Sequence, residues 1–209
     1  MDIAFPDRDY AGYIFDLDGT LIDSMPAHFE AWTAGLLQAG FTHGFPEELF
    51  YSLGGVPTAK IVSLLNERHG TSLDPLAVAL AKEEIFFTLI DKVPLIEPVV
   101  AFARAKHAAG VPVSIASGGM KHVVQRALAG HALEGLFSIV VTPEQVEHGK
   151  PAPDMFLLAA EKMGVPPQEC LVFEDAEMGR RAAVAAGMDY VLVPSRDSGP
   201  VQQRRATEG

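Results

Sequence analysis

Apolar residues along this chain fall into two kinds of pattern. Short continuous runs, Tyr13-Ile14-Phe15, Val111 to Ala116 and Leu171-Val172-Phe173, have the length and the β-branched or aromatic content of buried parallel strands. Helical spacing governs the stretch between the first and second of these. Ser24 and Pro26 open a helix with Phe29, Trp32 and Leu36 on one face and Gly40 as its stop. Thr58 to His69 repeats the plan, with Ile61, Leu64 and Leu65 inward and Gly70 at its end, and Asp74-Pro75 starts a third helix running toward Asp91. Strand and helix alternate again only after Pro94, with helices expected from near Met120, over Met155 to Met163, and over Glu177 to Ala186 before Gly187. That order predicts an α/β fold, a doubly wound parallel sheet formed by residues 1–21 and 94–209, with a small helical domain, 22–93, inserted after the first strand. From Ser195 the chain turns polar, with Gln202, Gln203, Arg204 and Arg205, and is expected to fray.

Polar residues collect where the apolar runs end. Asp16 and Asp18 follow the first run, two positions apart; on a strand they would share a face and crowd their charges unless a cation or a shared proton relieved them. Gly19 then lets the backbone leave through a conformation closed to residues bearing a Cβ. Ser117 follows the second run and precedes Gly118-Gly119, whose bare backbone N–H groups can approach an anion at the start of the helix from Met120. Lys150 sits before Pro151 and Pro153, a stiff mount that keeps a long cation aimed, and Glu174-Asp175 close the last run. Strand carboxyl ends are where a doubly wound sheet binds its ligands.

Asp16-Leu17-Asp18-Gly19-Thr20, then Ser117, Lys150 and Glu174-Asp175, resemble in order and placement the motifs of the haloacid dehalogenase superfamily, most of whose members are magnesium-dependent phosphotransferases. His148 to Val193, with Pro-Ala-Pro-Asp-Met-Phe, Phe-Glu-Asp-Ala and Ala-Ala-Gly-Met, is most similar to bacterial sugar-phosphate phosphatases of the fructose-1-phosphatase type, relatives of β-phosphoglucomutase. The resemblance implies a catalytic core carrying a helical cap, and hydrolysis of a small sugar-phosphate monoester through an aspartyl phosphate. Asp16 would be the nucleophile and Asp18 the acid and base. Mg2+ would be held by the Asp16 carboxylate, the Asp18 backbone carbonyl and Asp175, with Glu174 in support through a bound water. Lys150, Ser117 and the N–H groups of Gly118 and Gly119 would bind the phosphoryl group. His28, twelve residues after Asp16, stands where the mutase and related phosphatases also carry a histidine. In Gly54-Gly55-Val56-Pro57-Thr58, Thr58 stands where the mutase has an arginine for a second phosphate, which favours phosphatase over mutase. Lys60 and Lys82 are further candidates for charge in the cap.

Charge and composition exclude several other classes. With 16 basic and 27 acidic residues and a net charge of -11, the chain is a poor match for nucleic acid. No apolar run approaches the roughly 20 residues of a membrane span, and the N-terminus lacks a basic, apolar leader, so a cytoplasmic monomer acting on a small phosphorylated metabolite is expected. The single cysteine, Cys170, reads as a buried strand residue. A receiver domain would share the acidic pair but have no helical insertion. A non-catalytic sugar-phosphate-binding protein would be expected to lack the nucleophile or a metal ligand, and a dehalogenase would need neither Asp18 nor magnesium.

Overall fold

A computed structural model describes residues 3–53 and 56–194. The expectations for the polar tail and for Gly54-Gly55 fall outside the described residues. In chain order the elements are β1 (Gly12–Phe15), α1 (Met25–Gln38), α2 (Glu47–Ser52), α3 (Thr58–His69), α4 (Pro75–Leu89), α5 (Glu97–Ala108), β2 (Val113–Ala116), α6 (Lys121–Gly130), β3 (Ile139–Val141), α7 (Asp154–Met163), β4 (Cys170–Glu174), α8 (Glu177–Ala185) and β5 (Asp189–Leu192). Short 3₁₀ turns lie at Ile90–Lys92, Pro143–Gln145 and Pro167–Glu169. The chain divides into two compact units, one from the residues up to Asp23 with those from Pro94 onward, the other Ser24–Val93.

The first unit is organised by one sheet in the order β3-β2-β1-β4-β5, with every pairing parallel. All side chains of β1, β2 and β4 are buried, which is why these strands read as unbroken apolar runs rather than as an alternation. Ile14, Ala116, Val141 and Val172 pack in one cluster with Met155, Phe156 and Ala159 of α7 and Ala182 and Ala183 of α8. Their neighbours in β1 and β4, one residue on, belong to an aromatic layer. Phe15 stacks on Phe173 at 4.9 Å between ring centroids, and Phe102 of α5 lies 5.1 Å from Phe173 and 5.2 Å from Tyr13. With both layers filled, the sheet is a rigid platform whose carboxyl edge carries the polar residues.

The second unit buries Trp32, Leu36, Phe41, Phe45, Phe50, Ile61, Val62, Leu65 and Val78. Helices α1 and α4 approach closely at Gly35, where a β-carbon would lie 2.9 Å from the backbone nitrogen of Lys82. Asp74 caps α4 by accepting from the Leu76 N–H at 3.0 Å, and Gly70 ends α3 in the left-handed conformation. Ser24 precedes α1 without a capping side-chain bond. One expected core residue is outside: Leu64 is 41% exposed, whereas Ile61, Val62 and Leu65 are buried. At roughly 100° per residue these three fill one arc of α3, and Leu64 falls about 100° from its centre. Among the described residues no helix is long and apolar enough to cross a membrane.

Candidate active site

Ladder bonds fix the backbone of each acidic or hydroxylic residue at the sheet's edge. Asp16 donates its N–H to the Phe173 carbonyl at 2.9 Å, Ser117 to Val141 at 3.0 Å, and the carbonyl of Glu174 accepts from Val193 at 2.7 Å. β1 ends at Phe15, so Asp16 and Asp18 do not share a strand face as their spacing suggested. The chain turns tightly instead, with Leu21 and Ile22 both donating to the Leu17 carbonyl and Gly19 donating to Ile22. Gly19 sits at φ +80°, and a β-carbon there would lie 2.2 Å from Asp175 Oδ2. Only glycine satisfies both the conformation and the close approach. The turn still brings the two aspartates within electrostatic reach, since Asp18 is among the charges acting on Asp16.

Three carboxylates and one ammonium meet here. Lys150 Nζ donates to Asp16 Oδ1 at 2.6 Å and to Glu174 Oε1 at 2.7 Å, and it lies 4.9 Å from the centroid of the Phe156 ring. Glu174 Oε2 accepts from the Ala176 N–H at 2.7 Å. Asp16, Glu174 and Asp175 each offer an oxygen within 4.8 Å of the others. Asp16 and Glu174 are buried. Burial pushes the Asp16 carboxyl up to about 8; Lys150 opposes the rise, while Glu174 and Asp18 add to it. Asp175 is likewise raised well above the ordinary carboxylate range, by burial first and then by Glu174 and Asp16. Burial alone would lower Lys150, but its two carboxylate partners outweigh that and hold it above the ordinary lysine range. An oxygen-only donor set with more negative than positive charge fits a hard divalent cation such as magnesium or calcium, not zinc or copper.

Ser117, 1% exposed, accepts from the Gly119 N–H through its Oγ at 3.0 Å, so its own hydroxyl hydrogen is available to donate elsewhere. The Gly119 N–H expected to face an anion is therefore turned onto Ser117. At the start of α6 the Lys121 N–H donates to Glu144 Oε1 at 2.9 Å, a bond that holds the Glu144 carboxyl below its ordinary range. Nothing in the sequence pairs positions 121 and 144, because the 3₁₀ turn after β3 brings them together. A β-carbon at Gly119 would lie 3.8 Å from Asp18 Oδ2, which places the Asp18 carboxylate beside the Ser117 loop. Glu174, expected in a supporting role, is one of the three carboxylates of the oxygen cluster.

His28, Thr58 and Lys82 belong to the helical unit, where they line one cavity of about 180 Å³ together with Met25, Trp32 and Phe50. The His28 ring stacks on Phe86 at 3.8 Å, and Lys82 Nζ lies 5.6 Å over the Trp32 ring. Lys60 is exposed and does not line that cavity. Cys170 is buried and its thiol is pushed up to about 11 by burial, a structural cysteine.

Comparison with known proteins gives a consistent result. Over 186 residues the chain is 41% identical to fructose-1-phosphate phosphatase YqaB of Escherichia coli (strain K12), covering 88% of this chain and 96% of that protein. It is 36% identical over 185 residues to hexitol phosphatase A of the same organism, covering 87% of this chain and 82% of the relative. The crystal structure of a family IA, variant 3 hydrolase from Entamoeba histolytica HM-1:IMSS superposes with a TM-score of 0.76 at 28% identity, over 86% of this chain and 82% of that one. Residues 10–187 match the sequence profile of the haloacid dehalogenase-like hydrolases, and the chain belongs to that family.

Proposed function

We propose that this protein is a magnesium-dependent phosphatase, a cytoplasmic monomer that hydrolyses small sugar-phosphate monoesters of the fructose 1-phosphate kind through an aspartyl phosphate on Asp16. The observation that carries this reading is the seat of Asp16, buried, gripped by Lys150 at 2.6 Å and clustered with Glu174 and Asp175. The 41% identity to a fructose-1-phosphate phosphatase supports the substrate class.

The chemistry follows from the charges. A carboxylate approaching a phosphate is repelled by about 4 kcal/mol for each unit of charge at roughly 4 Å and an effective dielectric of about 20. Asp16, Asp175 and the Asp18 backbone carbonyl, with Glu174 in support, would hold magnesium, which would supply positive charge against that repulsion. Lys150 grips one Asp16 oxygen and so fixes the direction in which the other attacks phosphorus. Ser117 donates its hydroxyl to an equatorial phosphoryl oxygen. Asp18 protonates the departing sugar oxygen and then takes a proton from the water that cleaves the aspartyl phosphate. The choice of sugar is assigned to the helical unit, in which His28, Thr58 and Lys82 line one cavity.

Asp18→Asn separates this proton role from binding. The variant should lose about 10² to 10⁴ in kcat/KM, which reports phosphoryl transfer to Asp16 and not the later water step, on a sugar phosphate and far less on an aryl phosphate, whose leaving group needs no acid. Equal losses on both substrates would remove Asp18 from that role. Metal dependence is a separate check: chelation should stop turnover, magnesium should restore it, and calcium should inhibit because it prefers more ligands at longer distances. Full activity after exhaustive chelation would contradict the role given to the carboxylate cluster.

The test of the function itself is a phosphate-release screen over small sugar phosphates with magnesium, following both products from β-glucose 1-phosphate. Thr58 provides no second cationic phosphate site, so net phosphate release is expected with little glucose 6-phosphate. Isomerisation outpacing release in the presence of a bisphosphate primer would make the protein a mutase.

A further inference from the structure

Gly179 occupies the third position of α8, inside a helix, where alanine is intrinsically preferred. Its φ is not positive, so backbone conformation does not demand glycine there. The reason lies across the helix surface. A β-carbon on Gly179 would stand 1.8 Å from Glu174 Oε1, 2.0 Å from its carboxyl carbon and 2.5 Å from its γ-carbon. Glu174 is 2% exposed and already committed on its other sides, with Oε1 accepting from Lys150 at 2.7 Å and Oε2 from the Ala176 N–H at 2.7 Å. The bare face of Gly179 is thus the remaining wall of the carboxylate's seat.

We propose that Gly179 is a positioning residue for Glu174, acting through it on Lys150 and on the oxygen cluster with Asp16 and Asp175. Its role in turnover rests on the phosphatase reading above. A methyl at position 179 meets the Glu174 side chain from its γ-carbon to Oε1 rather than backbone, so the helix keeps its place and Glu174 is driven from its seat. The displacement takes one carboxylate from Lys150 and one oxygen from the cation site. α8 gains a better helix former, but the opened Lys150–Glu174 pair outweighs that gain as the cluster loses a member.

The experiment is a double-mutant cycle of Gly179→Ala with Glu174→Ala, read by magnesium titration calorimetry, thermal unfolding in chelator, and kcat/KM. In the native background, Gly179→Ala should lower the melting temperature in chelator because the buried Lys150–Glu174 pair opens, weaken magnesium affinity about tenfold and lower kcat/KM by about 10²-fold, the scale of a small misplacement at a reacting centre. In the Glu174→Ala background the same change should move neither affinity nor kcat/KM. Equal losses in both backgrounds, or no loss in the native one, would overturn the proposal. A crystal structure of Gly179→Ala gives an independent decision, because a Glu174–Lys150 contact found unmoved also overturns it. If the native protein released no phosphate from any sugar phosphate, the proposed function would fail, while the affinity cycle and the crystal structure would still decide the role of Gly179.

Discussion

Asp16→Asn should fold, retain an oxygen for Lys150 and lose phosphate release by a factor on the order of 10⁴ to 10⁶, the scale seen when a covalent nucleophile is removed. The amide has nearly the shape of the carboxylate and almost none of its nucleophilicity. Stability should move the other way. The Asp16 carboxyl is raised from its ordinary 3.8 to about 8, chiefly by burial, so the folded chain binds a proton there that the unfolded chain releases. Stability is therefore lost as pH climbs through that window and stays low above it, the reverse of the usual paired aspartate. Replacing the carboxylate by an amide removes this penalty. In chelator at pH 8 the variant should melt higher than the native protein, and at pH 4 the two should agree closely. Phosphate release near the native rate would remove Asp16 as nucleophile; a lower melting temperature at pH 8 would show that its charge stabilises the fold.

Lys150→Met should give the largest loss of stability in the site. The ammonium lies 2.6 Å from Asp16 and 2.7 Å from Glu174, and its side chain is only 10% exposed. Its removal leaves two buried carboxylates facing each other with no cation between them, Glu174 keeping only its bond from the Ala176 N–H. Breaking a buried pair in this way typically costs about 3–5 kcal/mol, more than the pair itself contributes, because the uncompensated charge remains. Activity should fall as well, since the grip on Asp16 is gone. Glu174→Gln added to Lys150→Met removes one of the orphaned charges, so much of the stability should return without the activity. Urea unfolding in chelator measures the first effect and steady-state kinetics the second. A native-like urea midpoint for Lys150→Met would contradict the electrostatic account of the site, as would a double variant less stable than the single.

Much of this arrangement is legible in the order of residues. The runs Tyr13-Ile14-Phe15 and Leu171-Val172-Phe173 announce strands buried on both faces, and the polar residues after them mark the sheet edge where Asp16 and Glu174 are found. Asp74-Pro75 and Gly70 carry local helix signals that need no tertiary context, and both operate as read. What is not legible depends on distant parts of the chain. Leu64 has the same composition signal as Leu65, and only the packing of α3 decides which is buried. The spacing of Asp16 and Asp18 suggests one strand face, but β1 ends a residue before Asp16 because the chain must turn under Gly19. Glu144 reaches the start of α6 across 23 positions, a pairing set by the loop after β3. Gly179 looks like an ordinary helix glycine until the Glu174 carboxylate is placed against it. Motif residues are visible because their chemistry is unusual; the residues that seat them are ordinary, and geometry alone singles them out.

The central claim is that Asp16 carries the phosphoryl group from sugar to water. Rapid-quench kinetics with ³²P-labelled fructose 1-phosphate and magnesium test it most directly, with acid trapping and peptide mapping of the labelled protein. The expected result is label on the peptide containing Asp16, formed and lost fast enough to account for steady-state phosphate release, and absent in Asp16→Asn. Steady phosphate release with no label on the protein during turnover, or label mapped to any other residue, would contradict it.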